Sequence, residues 1–367
     1  MQKSSSKMSL PNHLIGKNIN EIPTPALVVD LPTLRSNLVA MQKLVSEYGK
    51  LLRPHVKTHK SSAVARLQLE AGAVGVTCST VGEAEAMAVA GIRDILVANQ
   101  VVTPDKLERL VRLLETSEIK FSLDSLFGIE VAEAVAQQHG CIFEVLVEVD
   151  TGGNRCGAQS PQETVALVQR IQASRSLHFG GIQAYYGGTS YIQDQVERQR
   201  VVTASDQGLR KVLEAVRQVC DIPRVSGAGT GNARFHLVDG LLTEIQSGSY
   251  VYSDTTYHEL APEYQSALFV LSTVISRPVE SRFILDAGLK SMGAEFSDPE
   301  LVRYPHLKEY VFNEEHLQWQ VDREPSPQIG EKVLIIPSHC CTTVNLHRLI
   351  FVAQDGKVVD IWEIDAF

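Results

Sequence analysis

Ser226-Gly227-Ala228-Gly229-Thr230-Gly231 decides the fold through its place in the chain. Short β-branched runs lead up to it: LLRPHVK (51–57), GVTCS (75–79), DILVANQ (94–100), KFSLDS (120–125), FEVLVEVD (143–150) and FGGIQAYY (179–186). PRVSGAG (223–229) carries into the loop itself, and LTEIQSGSY (242–250) follows it. Most runs are separated by stretches of helical period such as VGEAEAMAVAGI, TPDKLERLVRLLET and SPQETVALVQRIQAS. Thr103 before Pro104 and Asp105 reads as a helix start. A doubly wound sheet needs fewer strand units and sets its glycine fingerprint after the first strand. A glycine-rich loop after strand seven of eight is instead where closed barrels hold phosphate on backbone N–H groups. The expected architecture is α/β, a (β/α)8 barrel.

From about residue 260 the pattern changes. ALFVLSTVISRPVE, RFILDAGLK, KVLIIPSH and HRLIFVAQDGKVVDIWEI read as strands joined by turns, with a hairpin at Asp355–Gly356. This is a second, mainly β domain at the C-terminal end. The expected boundaries are an N-terminal segment over 1–25 packing on the β domain, the barrel over 26–258, and the β domain over 259–367. A chain of 367 residues has room for both.

Composition narrows the partners. Thirty-four basic against 43 acidic side chains give a net charge of −9, so counterion release from a phosphate backbone offers nothing, and nucleic acid is not expected. No stretch is long and apolar enough for a membrane span, and MQKSSSKMSLPNHL lacks a signal-peptide core. Six scattered cysteines suit a reducing compartment, hence an expected cytoplasmic location.

Barrel chemistry sits where the strands end. Those ends offer Lys57, Asp150 to Arg155, Tyr185, the loop 226–231, and Gln246-Ser247-Gly248-Ser249. Position alone leaves Lys57 a solvated cation, Arg155 a surface charge and Tyr185 a packing residue. The glycine loop alone is raised by its place.

RPHVKTHK, DTGGNRCG, SGAGTG and IQSGSYVYSD together resemble the pyridoxal 5′-phosphate (PLP) enzymes of the alanine-racemase-like fold, in the branch of D-threonine aldolases and D-serine dehydratases. The resemblance runs from PTPALVVD to PSHCCTTVNLH. It implies that Lys57 carries PLP as a Schiff base and serves as base at the substrate α-carbon, a role that needs a lysine of lowered pKa. It implies Arg155 against the phenolic oxygen, Tyr185 in the cofactor site, and the phosphate on Gly229, Thr230, Gly248 and Ser249. Gln246 stands where alanine racemases place an arginine against the pyridine nitrogen. That leaves the nitrogen without a carboxylate partner, and the expectation is an unprotonated ring, unless Gln246 is merely a structural amide. Asp150 is expected to fix the turn that presents Arg155.

His339 and Cys341 lie two residues apart after an apolar run. On a strand such residues point to one side, so imidazole and thiolate can share a divalent ion, with Cys340 facing away. A soft N/S pair favours zinc over magnesium or calcium, with manganese or magnesium as the alternative ions. Spacing alone equally allows small core residues, and the resemblance is what implies a metal site. His347 is a lesser candidate ligand, and Glu314-Glu315-His316 reads equally as a solvated acidic turn.

An ion at the β-carbon suits a lyase acting on a small-molecule D-3-hydroxy amino acid. The expected reaction is dehydration of a D-serine or 3-hydroxy-D-aspartate type substrate to a 2-oxo acid and ammonia. The alternative is retro-aldol cleavage of the D-threonine aldolase kind, and a racemase is a further one. Cys341, where aldolases of the family tend to carry aspartate, and Tyr191 in G-x-S-Y (Gly188, Ser190, Tyr191) favour the dehydratase. QAYYGG and HCCTTVNLH also resemble aldolases. A non-catalytic PLP-binding protein would share Lys57 but lack the second domain. The resemblance further implies a homodimer.

Overall fold

The computed structural model describes residues 10–366. Two compact units divide them: one takes the chain up to Leu34, 254–256 and 266–364, and the other takes 35–253, 257–265 and the residues from Asp365.

The second of these is the barrel. Its strands are β1 (Leu51–Leu52), β2 (Val76–Cys78), β3 (Asp94–Gln100), β4 (Glu118–Leu123), β5 (Phe143–Val149), β6 (Leu177–Ala184), β7 (Val225–Gly227) and β8 (Glu244–Ile245). Every neighbouring pair is parallel, β8 pairs back onto β1, and a bridge from His55 to Thr77 joins β1 to β2. All eight expected runs supply a strand. Four of the helices between them start on side-chain caps, at Thr80, Ser125, Ser160 and Asp194, each accepting a backbone N–H three residues on. Such a cap is worth about 1 kcal/mol. Thr103 sits at the cap position before Pro104 but makes no capping bond.

One row of the barrel is polar. Glu148, Gln183, Ser226 and Glu244 are register partners across β5, β6, β7 and β8. All four are buried. At the end of the row Glu244 lies 2.9 Å from Arg53, whose guanidinium also bonds Asp94 at 2.7 and 3.0 Å. Burial works against the charge on Arg53, but the two carboxylates outweigh it and raise its pKa.

The other unit is built on a nine-stranded sheet. The strand Ala26–Asp30 lies inside it, antiparallel to Leu268–Val279 and parallel to Leu349–Gln354. This corrects the expected barrel start at residue 26. An apolar run of five reads alike in either sheet, and only its partners settle which one it joins. Tyr257–Leu260 and the residues to Gln265 belong to the barrel unit, and 254–256 to the sheet unit, so the chain crosses more often than the single expected boundary at 259. Leu14 and Ile22 pack with Val28, Leu271, Phe351 and Val358 in this unit's core; residues 1–9 of the N-terminal segment lie outside the described residues. Asp355 and Gly356 both have positive φ and join the last two strands, as a two-residue hairpin turn requires. Among the described residues no helix is long and apolar enough to cross a membrane.

Arg53→Met leaves Glu244 without its closest buried cation. Loss of one member of a buried ion pair costs about 3–5 kcal/mol. Urea unfolding followed on the barrel transition should show that loss; a change below about 1 kcal/mol would contradict the role given to the pair.

Candidate active site

Lys57 follows β1 in a short 3-10 turn, Val56–Thr58, which ends the strand and turns the lysine to the barrel mouth. A cavity of about 200 Å³ opens there, lined by His55, Lys57, Ser79, Asn99, Arg155, Cys156, Gln183, Tyr185 and Gln246 among others. Strand ends β1, β5, β6 and β8 therefore bring Lys57, Arg155, Tyr185 and Gln246 together. The Tyr185 ring ties the two cations, with Lys57 Nζ 5.7 Å and Arg155 Cζ 5.5 Å from its centroid.

The turn that presents Arg155 is organised by one carboxylate. Asp150 Oδ1 accepts from the amides of Gly152 at 2.9 Å, Gly153 at 2.8 Å and Asn154 at 3.2 Å. Arg155 Nη2 lies 3.8 Å from Glu148, a carboxyl that burial pushes above its usual range against Gln100, Arg155 and Gln183.

The loop after β7 has the character of an anion cradle. A Cβ on Gly231 would stand 2.2 Å from Ser190 O, and one on Gly248 would meet Thr58 Oγ1 at 2.7 Å and His55 O at 2.9 Å. Only glycine allows such close packing. Among the described residues, the backbone amides of Thr230, Gly231 and Gly248 donate to no protein acceptor. Unpaired N–H groups of this kind suit a phosphate. The Gly229 amide is already taken by Asn232 Oδ1 at 2.7 Å, so Gly229 shapes the turn and offers no donor. Ser249 begins the 3-10 turn Ser249–Val251 beside Gly248. These residues fit PLP: an amine, a cationic partner for its oxygen, and free donors for its phosphate.

Tyr191 does not line the cavity. It ends the turn Gly187–Tyr191, with its ring 6.3 Å from that of Tyr257. Residues not expected from sequence are His55, Ser79, Asn99 and Gln183. His55 is held well below its ordinary pKa by burial, with Lys57 and His59 adding to the effect, so its ring is neutral. Its Nδ1 accepts from the Lys57 amide at 3.4 Å. Gln183 had a signal: it lies two residues before Tyr185 in a buried strand, hence on the same face.

In the other unit, one ligand atom each from His339, Cys340 and Cys341 falls within 4.8 Å of the others. His339 and Cys341 do not lie on a strand, contrary to the expectation from their spacing. The strand Lys332–Ile336 ends earlier, His339 is the N-cap of a helix over Cys340–Val344, and that tight start gathers Cys340 into the group as well. Asp254 Oδ2 accepts from the Cys340 amide at 2.8 Å and lies 3.3 Å from His339 Nδ1. Burial acts to lower the His339 pKa, but the charge of Cys341 and the bonds to Asp254 and Cys341 raise it to about 10. The donor set of imidazole and two thiols fits a soft divalent ion. His347 lies apart, bonding Ser291 O at 2.7 Å, and Glu314 and Glu315 form exposed ion pairs with Lys290.

Residues 29–256 match the alanine racemase N-terminal domain, and 267–353 match a putative serine dehydratase domain. The chain belongs to the alanine racemase N-terminal family. That family is PLP-dependent. A D-threonine aldolase from Arthrobacter sp. is 36% identical over 96% of this chain and 94% of its own length. The D-threo-3-hydroxyaspartate dehydratase of Delftia sp. HT23 is 33% identical over 93% and 97%. Among solved structures, the D-threonine aldolase of Filomicrobium marinum superposes with a TM-score of 0.93 at 32% identity, covering 96% of this chain and 98% of that one. These relatives are lyases of D-amino acids, and the chain is an enzyme of the PLP-dependent lyase class.

Asp150→Ala removes the acceptor that shapes the Arg155 turn. The expected result is a PLP dissociation constant raised about tenfold, equivalent to about 1.4 kcal/mol, measured by equilibrium dialysis. Unchanged retention would contradict the role of the turn.

Proposed function

We propose that this chain is a PLP- and metal-dependent lyase that dehydrates a D-3-hydroxy amino acid to a 2-oxo acid and ammonia. The observation that carries the reading is the gathering of His339, Cys340 and Cys341 at one helix start. A supporting comparison comes from the Delftia dehydratase. Two of its solved variants carry alanine at a histidine and at a cysteine two positions further on, and the cysteine variant is in a metal-free form. His339 and Cys341 repeat that spacing.

PLP supplies an electron sink at the substrate α-carbon, and a divalent ion supplies Lewis acidity toward a hydroxyl. Lys57 Nζ holds the cofactor and takes the α-proton. Arg155 meets the anionic ring oxygen, with the Tyr185 ring keeping both cations in place. The amides of Thr230, Gly231 and Gly248 receive the phosphate. His339 and Cys341 hold the ion, zinc by their softness, with Cys340 as a third ligand and Asp254 orienting the histidine. Loss of the β-hydroxyl as water leaves an enamine that hydrolyses to the 2-oxo acid and ammonia, so atoms balance.

Retro-aldol cleavage to glycine and an aldehyde is the second reading. It is favoured by the 36% identity to the Arthrobacter aldolase and the TM-score of 0.93 to the Filomicrobium one. Overall identity tracks the scaffold, whereas the choice between C–O and C–C cleavage rests on a few groups at the β-carbon. That is the ground for placing dehydration first.

Products from D-serine, D-threonine and D-3-hydroxyaspartate separate the readings. Pyruvate, 2-oxobutyrate or oxaloacetate with ammonia supports dehydration; glycine with an aldehyde replaces it by the aldolase. Thorough chelation should lower the rate at least about tenfold, with zinc restoring it. A rate untouched by chelation removes His339 and Cys341 from the reaction.

A further inference from the structure

We infer that Gln246 presents its side-chain carbonyl oxygen to the cofactor ring nitrogen, held in that orientation by the row Glu148, Gln183, Ser226 and Glu244. The inference rests on the PLP reading above and deepens it by fixing the charge of the ring.

The two ends of the row fix the hydrogens between them. Ser226 Oγ donates its one proton to Glu244 Oε1 at 2.7 Å. Glu244 lies beside the guanidinium groups of Arg53 and Arg224, at 2.9 and 3.5 Å, which suits a carboxylate that only accepts. With its proton given away, Ser226 Oγ can only accept, and it accepts from Gln246 Nε2 at 2.9 Å. At the other end Gln183 Nε2 donates to Glu148 Oε2 at 3.1 Å, an oxygen that also accepts from Gln100 Nε2 at 2.7 Å. The Gln183 amide therefore turns its oxygen toward Gln246, and Oε1 accepts from Gln246 Nε2 at 3.2 Å.

An amide nitrogen has two hydrogens, and both of those on Gln246 are now used. Its Oε1 bonds to no group among the described residues, and the residue lines the cavity with Lys57. Turning the amide over would set oxygen against oxygen at both Gln183 and Ser226, in a place closed to water. The two carboxylates thus decide what a ligand meets at Gln246. They leave it an acceptor.

A neutral pyridine nitrogen is an acceptor as well, and two acceptors repel. A pyridinium N–H is matched instead. This reverses the unprotonated ring expected from the sequence, where Gln246 was read as leaving the nitrogen without a carboxylate partner. A protonated ring withdraws electrons more strongly and suits removal of an α-proton. Gln246 touches the ring, while Ser226 and Gln183 are positioning residues that act through it.

The test is the ring-nitrogen NMR signal of the holoenzyme reconstituted with PLP labelled by 15N in the ring. The wild type should give the pyridinium shift. Gln246→Leu removes the acceptor and should move the signal toward neutral pyridine. Ser226→Ala combined with Gln183→Met frees the amide to turn and should move it the same way. Ser226→Thr, which restores the hydroxyl, should not. If the combined variant does not fold, each single variant should give an intermediate signal. A neutral ring in the wild type, or an unmoved signal when Ser226 and Gln183 are both changed, overturns the inference. A wild type that binds no PLP at all overturns the cofactor reading beneath it, and the visible absorbance of the holoenzyme tells these two failures apart.

Discussion

The pairing of β8 with β1, Leu51 against Glu244 and Leu52 against Ile245, is the contact on which the site depends. It is two residues long and parallel, and it returns the last strand of the barrel to the first. Lys57 follows one strand and Gln246 the other, so this register sets the amine and the buried amide at one mouth. The same pairing brings Glu244 alongside Arg53, and from there to Asp94 and Lys120. Charge taken out of water in this way is expensive unless every partner is present. Its return is specificity: a slip in register would strand several buried charges at once.

The polar row above this contact shows how a barrel interior serves chemistry. A packed barrel is ordinarily filled by branched apolar side chains. Here Glu148, Gln183, Ser226 and Glu244 replace them in one row, each bonded to a neighbour. A half-satisfied network of this kind would be worse than an apolar core. Here it fixes the direction of the Gln246 amide, which lines the cavity. Arg155 is held from outside in a parallel way, since Asp150 collects three loop amides into a turn of one shape.

Much of this was legible in the sequence. The eight strands were, because β-branched runs bounded by glycine and polar turns carry a period that survives without context. Lys57, Arg155, Tyr185 and Gln246 were found as strand-end residues, and the structure gathers them in one cavity. The strand Ala26–Asp30 was misplaced because five apolar residues say that they are buried and not beside what. His339 and Cys341 were found by spacing but for a reason that did not hold: a strand was assumed where a helix begins, and Cys340 was turned away from its neighbours. The direction of the Gln246 amide was beyond any sequence reading. It follows from hydrogen bonds among side chains 18 to 63 residues apart, and chain order carries no trace of them.

Family membership and the barrel fold leave the covalent partner of the cofactor as the claim on which the rest stands. Borohydride reduction of the PLP-loaded protein, followed by proteolysis and mass mapping, reads that partner directly. The predicted result is a single reduced pyridoxyl adduct, on the peptide containing Lys57. An adduct confined to another lysine such as Lys60, or none on a protein that has taken up PLP, would contradict it.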